Sequence, residues 1–180
     1  MEKTNHSNVL IVGGGCAGIA VASRINNLKS DCTISIVEPS EKSLYQAAWT
    51  LVGAGAYNVK DTIKPMSSVM PSYVKWIKEY AEEFQPENNS LKTSGGTYTY
   101  DYLVVCPGLK LNFDGVAGLK ENLGKNNVCT NYSAEMATYT WDCLKQLDGG
   151  NLLFTEPPMP IKCAGAPQKI AYLAADHLKK

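Results

Sequence analysis

The chain has 180 residues, 44% hydrophobic and 19% charged, enough for one good-sized core or for one domain and the start of another. Lys+Arg and Asp+Glu both number 17, so the formal charge is zero and no basic tract exists to draw in nucleic acid. No apolar run reaches the roughly 18–20 residues of a bilayer span, and the six cysteines lack the CxxC spacing of a zinc or thioredoxin-like site. With His6 and His177 the only histidines, a histidine triad or histidine metal cluster is equally poorly supported.

The polar start "MEKTNHSN" lacks the Arg-rich amphipathic character of a transit peptide. "VLIVGGGCAGIAVAS" superficially mimics a signal peptide, but its glycines fit a nucleotide loop better, so the protein is read as not exported. "NVLIV" (8–12) is a continuous apolar run, the mark of a strand buried on both faces of a parallel sheet. Gly13, Gly15 and Gly18 follow as G-x-G-x-x-G, and small or apolar residues then recur at helical spacing through Ile19, Ala22, Ile25 and Leu28. A second strand, "CTISIVE" (32–38), ends on Glu38, where a Rossmann unit carries the acid that binds ribose hydroxyls. Gly13 allows the tight turn, Gly15 admits the pyrophosphate to the backbone, and Gly18 lets helix pack on strand. The helix start supplies free N–H groups and a positive dipole end for phosphate. Glu38, an acid rather than a base, favours the free 2′-hydroxyl of FAD or NAD. Cys16 stands at a variable position of the motif, where packing against nucleotide suits it better than reactivity.

Between 73 and 106, "YVKWIKEYAEEF", "SLKT" and "TYTYDYLVVC" read as strands joined by the turns "QPENN" and "SGG", with a short helix the alternative for the imperfectly alternating "YVKWIKEY". That predicts a small antiparallel meander between parallel strands, as in two-dinucleotide flavoproteins, and makes FAD the better ligand. Farther on, "NLLFTEP" (151–157) predicts a strand and "PQKIAYLAADHLKK" (167–180) an amphipathic helix. This opens a second Rossmann-like unit, but its loop holds Pro157, Pro158, Pro160 and Pro167 with one Gly165. Proline removes N–H donors, so the loop is a poor pyrophosphate cradle. Cys163 stands in it; the residues alone leave it either a buried small hydrophobe or a reactive thiol. The expected fold is α/β, with a Rossmann-like dinucleotide domain over 1–115 and the start of a second over 116–180.

"IVEPS", "YQ..WTLVGAG" (within 37–56), "VMPS", "WIK", "NYS" (131–133) and "KCAGAPQKI" occur in the order found in one family. Across residues 8–180 the chain resembles the sulfide:quinone oxidoreductases, particularly the group with the mitochondrial enzyme. The resemblance implies FAD contacts at the backbone of Cys16 and Ala17, Glu38 on the ribose, Gln46 near the flavin and Ala81 beside the adenine. From the residues alone, Gln46 equally reads as a helix cap near Tyr45 and Ala81 as an ordinary strand residue. The resemblance makes Cys163 the redox cysteine, paired with a second cysteine in a disulfide or sulfur bridge that sulfide attacks. Added sulfur then leaves as a persulfide toward a sulfane-sulfur acceptor, and two electrons pass through FAD to a quinone. Lys162 and the helix N-terminus are candidates for stabilising the Cys163 thiolate.

Members of that family are over twice this length. The resemblance therefore implies an N-terminal fragment, inactive alone and soluble, with the second redox cysteine and quinone pocket elsewhere. For the complete enzyme it implies peripheral attachment to the cytoplasmic side of a bacterial inner membrane, or to the mitochondrial inner membrane. Another flavoprotein of the same fold and a non-catalytic remnant are the alternative readings. The proline loop argues against a type II NADH dehydrogenase.

Overall fold

A computed structural model describes residues 5–179. The chain forms two compact units: Met1–Ser43 with Lys64–Gly108, and Leu44–Ile63 with Leu109–Lys180.

The first unit begins with β1 (His6–Val12), α1 (Cys16–Leu28) and β2 (Ile34–Val37). β1 sends alternate side chains to opposite faces, the period of a strand. Val9 and Ile11 join Ala22 of α1 and Ile34 and Ile36 in one core cluster. Leu10 and Val12 join Val37, Ile77, Leu91, Tyr98 and Tyr100 in another. Both faces of the strand are therefore covered, which explains its unbroken apolar run. A two-stranded ribbon follows, β3 (Lys42–Leu44) with β4 (Ile63–Pro65), where the chain leaves this unit and later returns. β5 (Val74–Ile77), β6 (Ala81–Gln85), β7 (Ser90–Thr93) and β8 (Gly96–Val105) complete a six-stranded sheet of order β5-β2-β1-β8-β7-β6.

The first four strands of that order are parallel and repeat the 3-2-1-4 arrangement of a Rossmann half. β6, β7 and the start of β8 are the expected antiparallel meander. The ten residues of β8 serve both parts of the sheet: 96–99 pair with β7 and 99–105 with β1. The meander thus continues the main sheet at one edge.

The second unit is helical: α2 (Trp49–Gly53), α3 (Leu119–Asn122), α4 (Ala134–Lys145) and α5 (Ala166–Leu178). Trp49, Val52 and Ala137 form one cluster, with Leu144, Ile170 and Ala174 forming another. Helix α5 begins where predicted, with proline in its first turn, where its missing N–H costs nothing. The strand expected over 151–157 does not form. These residues are irregular and exposed, Leu153 at 87%. A strand is stable only when a neighbour takes its backbone hydrogen bonds, and no ladder partner for this run exists among the described residues. No described helix is long and apolar enough to cross a membrane.

Candidate functional site

In the first unit, β1 delivers the chain to Gly13 beside the ends of β2 and β8. The Gly13 N–H donates to Val37 O (2.9 Å) and the Cys106 N–H donates to Val12 O (2.7 Å). Gly13 has φ +105°, and a Cβ there would strike the Cys106 carbonyl oxygen. A Cβ on Gly18 would strike the Gly13 carbonyl oxygen and come within 3.2 Å of Ile11 Cγ2. These two contacts press turn, helix and strand together. Gly15 is the opposite case, exposed and with nothing within 4 Å of a Cβ built on it. Cys16 and Ala17 beside it are also exposed. Helix α1 starts at Cys16 with no side-chain cap and no acid in its first turn. An uncapped start leaves its early N–H groups for an anionic ligand.

Glu38 closes this loop from the end of β2. Its carboxylate accepts from the Gly14 N–H (2.8 Å) and the Ser40 N–H (2.8 Å). Its backbone is fixed as well: the N–H donates to Ile77 O (2.9 Å) and the carbonyl accepts from Trp76 Nε1 (2.8 Å). The structure therefore brings Gly13, Gly15, Cys16, Ala17, Gly18 and Glu38 into one loop system. An open face at Gly15, an uncapped helix and a held acid fit a dinucleotide. Gly14 and Trp76 belong to this system and were not predicted. The signal for Trp76 lay in β5 pairing with β2, which sets Ile36 opposite Trp76. Ala81 opens β6, half-buried against the sheet face that carries Leu10 and Val12.

The second unit holds Gln46 and Cys163. Gln46 opens a short 3-10 turn (Gln46–Ala48) and is exposed; Tyr45 precedes the turn as its cap, without a side-chain hydrogen bond. Cys163 is an exposed free thiol in the turn before α5. Its carbonyl accepts from the Ala166 N–H (3.1 Å) and from the Tyr132 hydroxyl (3.1 Å). Burial first, then the charges of Cys163 and Glu156, push the Tyr132 hydroxyl up from its ordinary pKa, keeping it a neutral donor. The Lys162 ammonium lies over the Trp49 ring, 5.8 Å from its centroid, and burial lowers its pKa. Trp49 is itself buried, donating from Nε1 to Thr62 Oγ1 (3.2 Å).

Three sequence blocks meet within this unit. A Cβ on Gly53 would strike Asn131 Oδ1 and lie 3.4 Å from Ile170 Cδ1. Gly53 belongs to "WTLVGAG", Asn131 to "NYS" and Ile170 to "KCAGAPQKI". Blocks that carried the family resemblance thus pack on one another, and Tyr132 of "NYS" holds the Cys163 carbonyl. Asn131, Tyr132 and Gly53 were not predicted as site residues, since nothing local in the sequence joins them.

A Rossmann half with a glycine loop and a terminal acid defines a dinucleotide-binding protein. Residues 7–137 match the pyridine nucleotide-disulphide oxidoreductase family, and the chain belongs to it. Within it, 98% of the chain is 46% identical to the mitochondrial sulfide:quinone oxidoreductase of Dictyostelium discoideum, covering 40% of that protein. The mouse mitochondrial sulfide:quinone oxidoreductase is 41% identical over 98% of the chain and 39% of its own length. In structure, the sulfide:quinone oxidoreductase of Aquifex aeolicus superimposes with a TM-score of 0.73 and 27% identity. That match covers 97% of this chain and 39% of the other. The resemblance read from the sequence stands, and the chain spans about two fifths of the length of these relatives.

Proposed function

We propose that the chain supplies the FAD-binding and sulfur-carrying parts of an enzyme that oxidises sulfide and passes its electrons to a quinone. Support comes chiefly from the 46% identity, over 98% of the chain, to a mitochondrial sulfide:quinone oxidoreductase, together with an exposed free thiol at Cys163 whose carbonyl is held by the Tyr132 hydroxyl and the Ala166 N–H.

Gly15, Cys16 and Ala17 would hold the pyrophosphate of FAD through backbone N–H groups at an uncapped helix start. An ionised carboxylate offers about four lone-pair sites, and two N–H groups occupy Glu38, so it keeps acceptors for ribose hydroxyls. Gln46 is assigned to the flavin end and Ala81 to the adenine end. FAD, when bound, supplies a two-electron relay to the quinone. The unit of residues 1–43 and 64–108 forms the dinucleotide domain, and the unit of 44–63 and 109–180 has a proline-stiffened loop that carries a thiol instead of a phosphate cradle.

Cys163 supplies one sulfur of a redox pair, and the other comes from outside residues 1–180. Sulfide attacks the bridged pair, its sulfur stays on one cysteine as a persulfide, and the second cysteine leaves as a thiolate. Tyr132 and the Ala166 N–H fix the Cys163 carbonyl, so the thiol is aimed while its sulfur remains open to attack. The released sulfane sulfur passes to a small acceptor. The complete enzyme attaches peripherally to a membrane.

A chimera tests this: residues 1–180 replace the matching segment of the Dictyostelium relative. Sulfide-dependent quinone reduction is expected to vanish in Cys163→Ser while bound flavin is retained. Persisting activity would sink the assignment of Cys163.

A further inference from the structure

The second unit holds another pair of thiols. Met136, Tyr139, Thr140 and Cys143 recur at three- and four-residue spacing, one face of α4. That face meets the turn 123–129. Gly124 would place a Cβ 3.1 Å from Met136 Sδ, and the Asn127 N–H donates to the Tyr139 hydroxyl (3.2 Å). Asn126 and Asn127 both take left-handed backbone angles (φ 51° and 61°), which curls the turn back on the helix. Two bridges, Leu123 to Val128 and Lys125 to Val128, close it. Both sulfurs consequently lie on one residue: Cys129 Sγ donates to Asn127 O (3.6 Å) and Cys143 Sγ to Asn127 Oδ1 (3.8 Å). Both cysteines are free and half-buried.

We infer that Cys129 and Cys143 form a dithiol modification site, oxidised by low-molecular-weight disulfides to an intramolecular disulfide that ties the 123–129 turn to α4. The thiolate of Cys143 attacks the small disulfide R–S–S–R, giving Cys143–S–S–R and releasing RS⁻. The Cys129 sulfur then attacks Cys143 Sγ, expelling the second RS⁻. Two protein thiols are oxidised, one small disulfide is reduced, and both protons end on the two RSH products. Burial first, then the neighbouring Cys143, hold the Cys129 thiol up to about 12. Capping Cys143 in the mixed disulfide removes the neighbour's share of that rise, so the first exchange prepares the second. Closure forms an S–S bond of about 2.05 Å, with the two sulfurs already gathered on Asn127. This site is independent of Cys163 and does not rest on the sulfide reading.

The test uses the unsubstituted 180-residue chain, equilibrated with graded glutathione disulfide and glutathione, acid-quenched, alkylated, digested and mapped by mass spectrometry. A Cys129–Cys143 cross-linked peptide is expected, with an equilibrium constant at least tenfold higher in buffer than in urea. Cys163→Ser leaves it unchanged. A mixed glutathione disulfide that persists on either cysteine without closure overturns the inference, as does a cross-link from either cysteine to another. Equal formation in urea shows that the fold does not bring them together and overturns it too.

Discussion

Gly18 and Gly15 sit three residues apart in the same loop, and the structure predicts opposite outcomes for the same substitution. In Gly18→Ala the new methyl meets the Gly13 carbonyl oxygen and Ile11 Cγ2 (3.2 Å). The oxygen belongs to backbone held on both sides, by Gly13 N–H to Val37 O and by β1 in mid-sheet, so it cannot swing away as a side-chain tip would. Overpacking of this kind costs about 1–3 kcal/mol or more. Alanine's better helix propensity returns about 1 kcal/mol. Against held backbone the cost lies at the upper end, about 3 kcal/mol, so the net expectation is a loss of about 2 kcal/mol, which at a urea slope of about 2 kcal/mol/M lowers the midpoint by about 1 M.

In Gly15→Ala no atom lies within 4 Å of the added methyl, and the backbone at φ −75° suits alanine. Losing glycine at the helix cap costs about 0.5–1 kcal/mol. The smaller unfolded-state entropy of alanine offsets that by about 0.4–1 kcal/mol. Stability is therefore expected to change by less than about 0.5 kcal/mol. FAD affinity, followed by flavin fluorescence in the chimera, should instead fall about tenfold, roughly 1.4 kcal/mol, because the methyl enters the space through which the pyrophosphate approaches. Equal urea midpoints for Gly18→Ala and the parent would refute the close helix–strand approach. A Gly15→Ala loss as large as that of Gly18→Ala would refute the open face.

Two further outcomes are expected. Gly53→Ala should destabilise the second unit by about 1–3 kcal/mol, since its methyl meets Asn131 Oδ1 with Ile170 behind. Asn131 Oδ1 is buried with no hydrogen-bond partner among the described residues, so Asn131→Ala removes the obstacle without breaking a bond at that oxygen. The double variant should recover at least about 1 kcal/mol in a thermodynamic cycle, and strict additivity would refute the contact. The second outcome concerns pH. The folded chain holds the Cys129 proton more tightly than an unfolded thiol does, about 12 against 9.0. Its contribution to stability is then intact below pH about 9 and is lost as pH rises toward 12. Iodoacetamide alkylation of Cys129 should keep accelerating about tenfold per pH unit beyond pH 9, and a plateau there would refute the shift.

Legibility followed the range of the interactions. The glycine loop could be read because its rule is local: apolar strand, three glycines at fixed spacing, helix, strand, acid. The meander could be read from its turns, which mark strand ends without reference to partners. The run 151–157 has the apolar composition of a strand, but a strand also needs a neighbour to accept its hydrogen bonds, and composition does not report that neighbour. The pair Cys129 and Cys143 escaped because it depends on two asparagines adopting left-handed angles, which folds a turn onto a helix face. Gln46 and Ala81 were named through resemblance alone, and the structure assigns them an exposed turn and a half-buried strand end.

The two candidate centres differ in how their chemistry is tied to stability. Glu38 is held through its side chain, its N–H and its carbonyl at once, so altering it disturbs the loop whose hydrogen bonds it completes. Cys163 is held through its carbonyl, by Tyr132 and by the start of α5, while its side chain is exposed. The thiol is therefore free of structural duty. Replacing it by serine changes what the turn can react with and leaves the turn itself in place. Packing contacts of the same unit lie at other residues, Gly53, Asn131 and Ile170. Under the proposed function, a thiol on a seated backbone lets the sulfur change partners without unseating the loop.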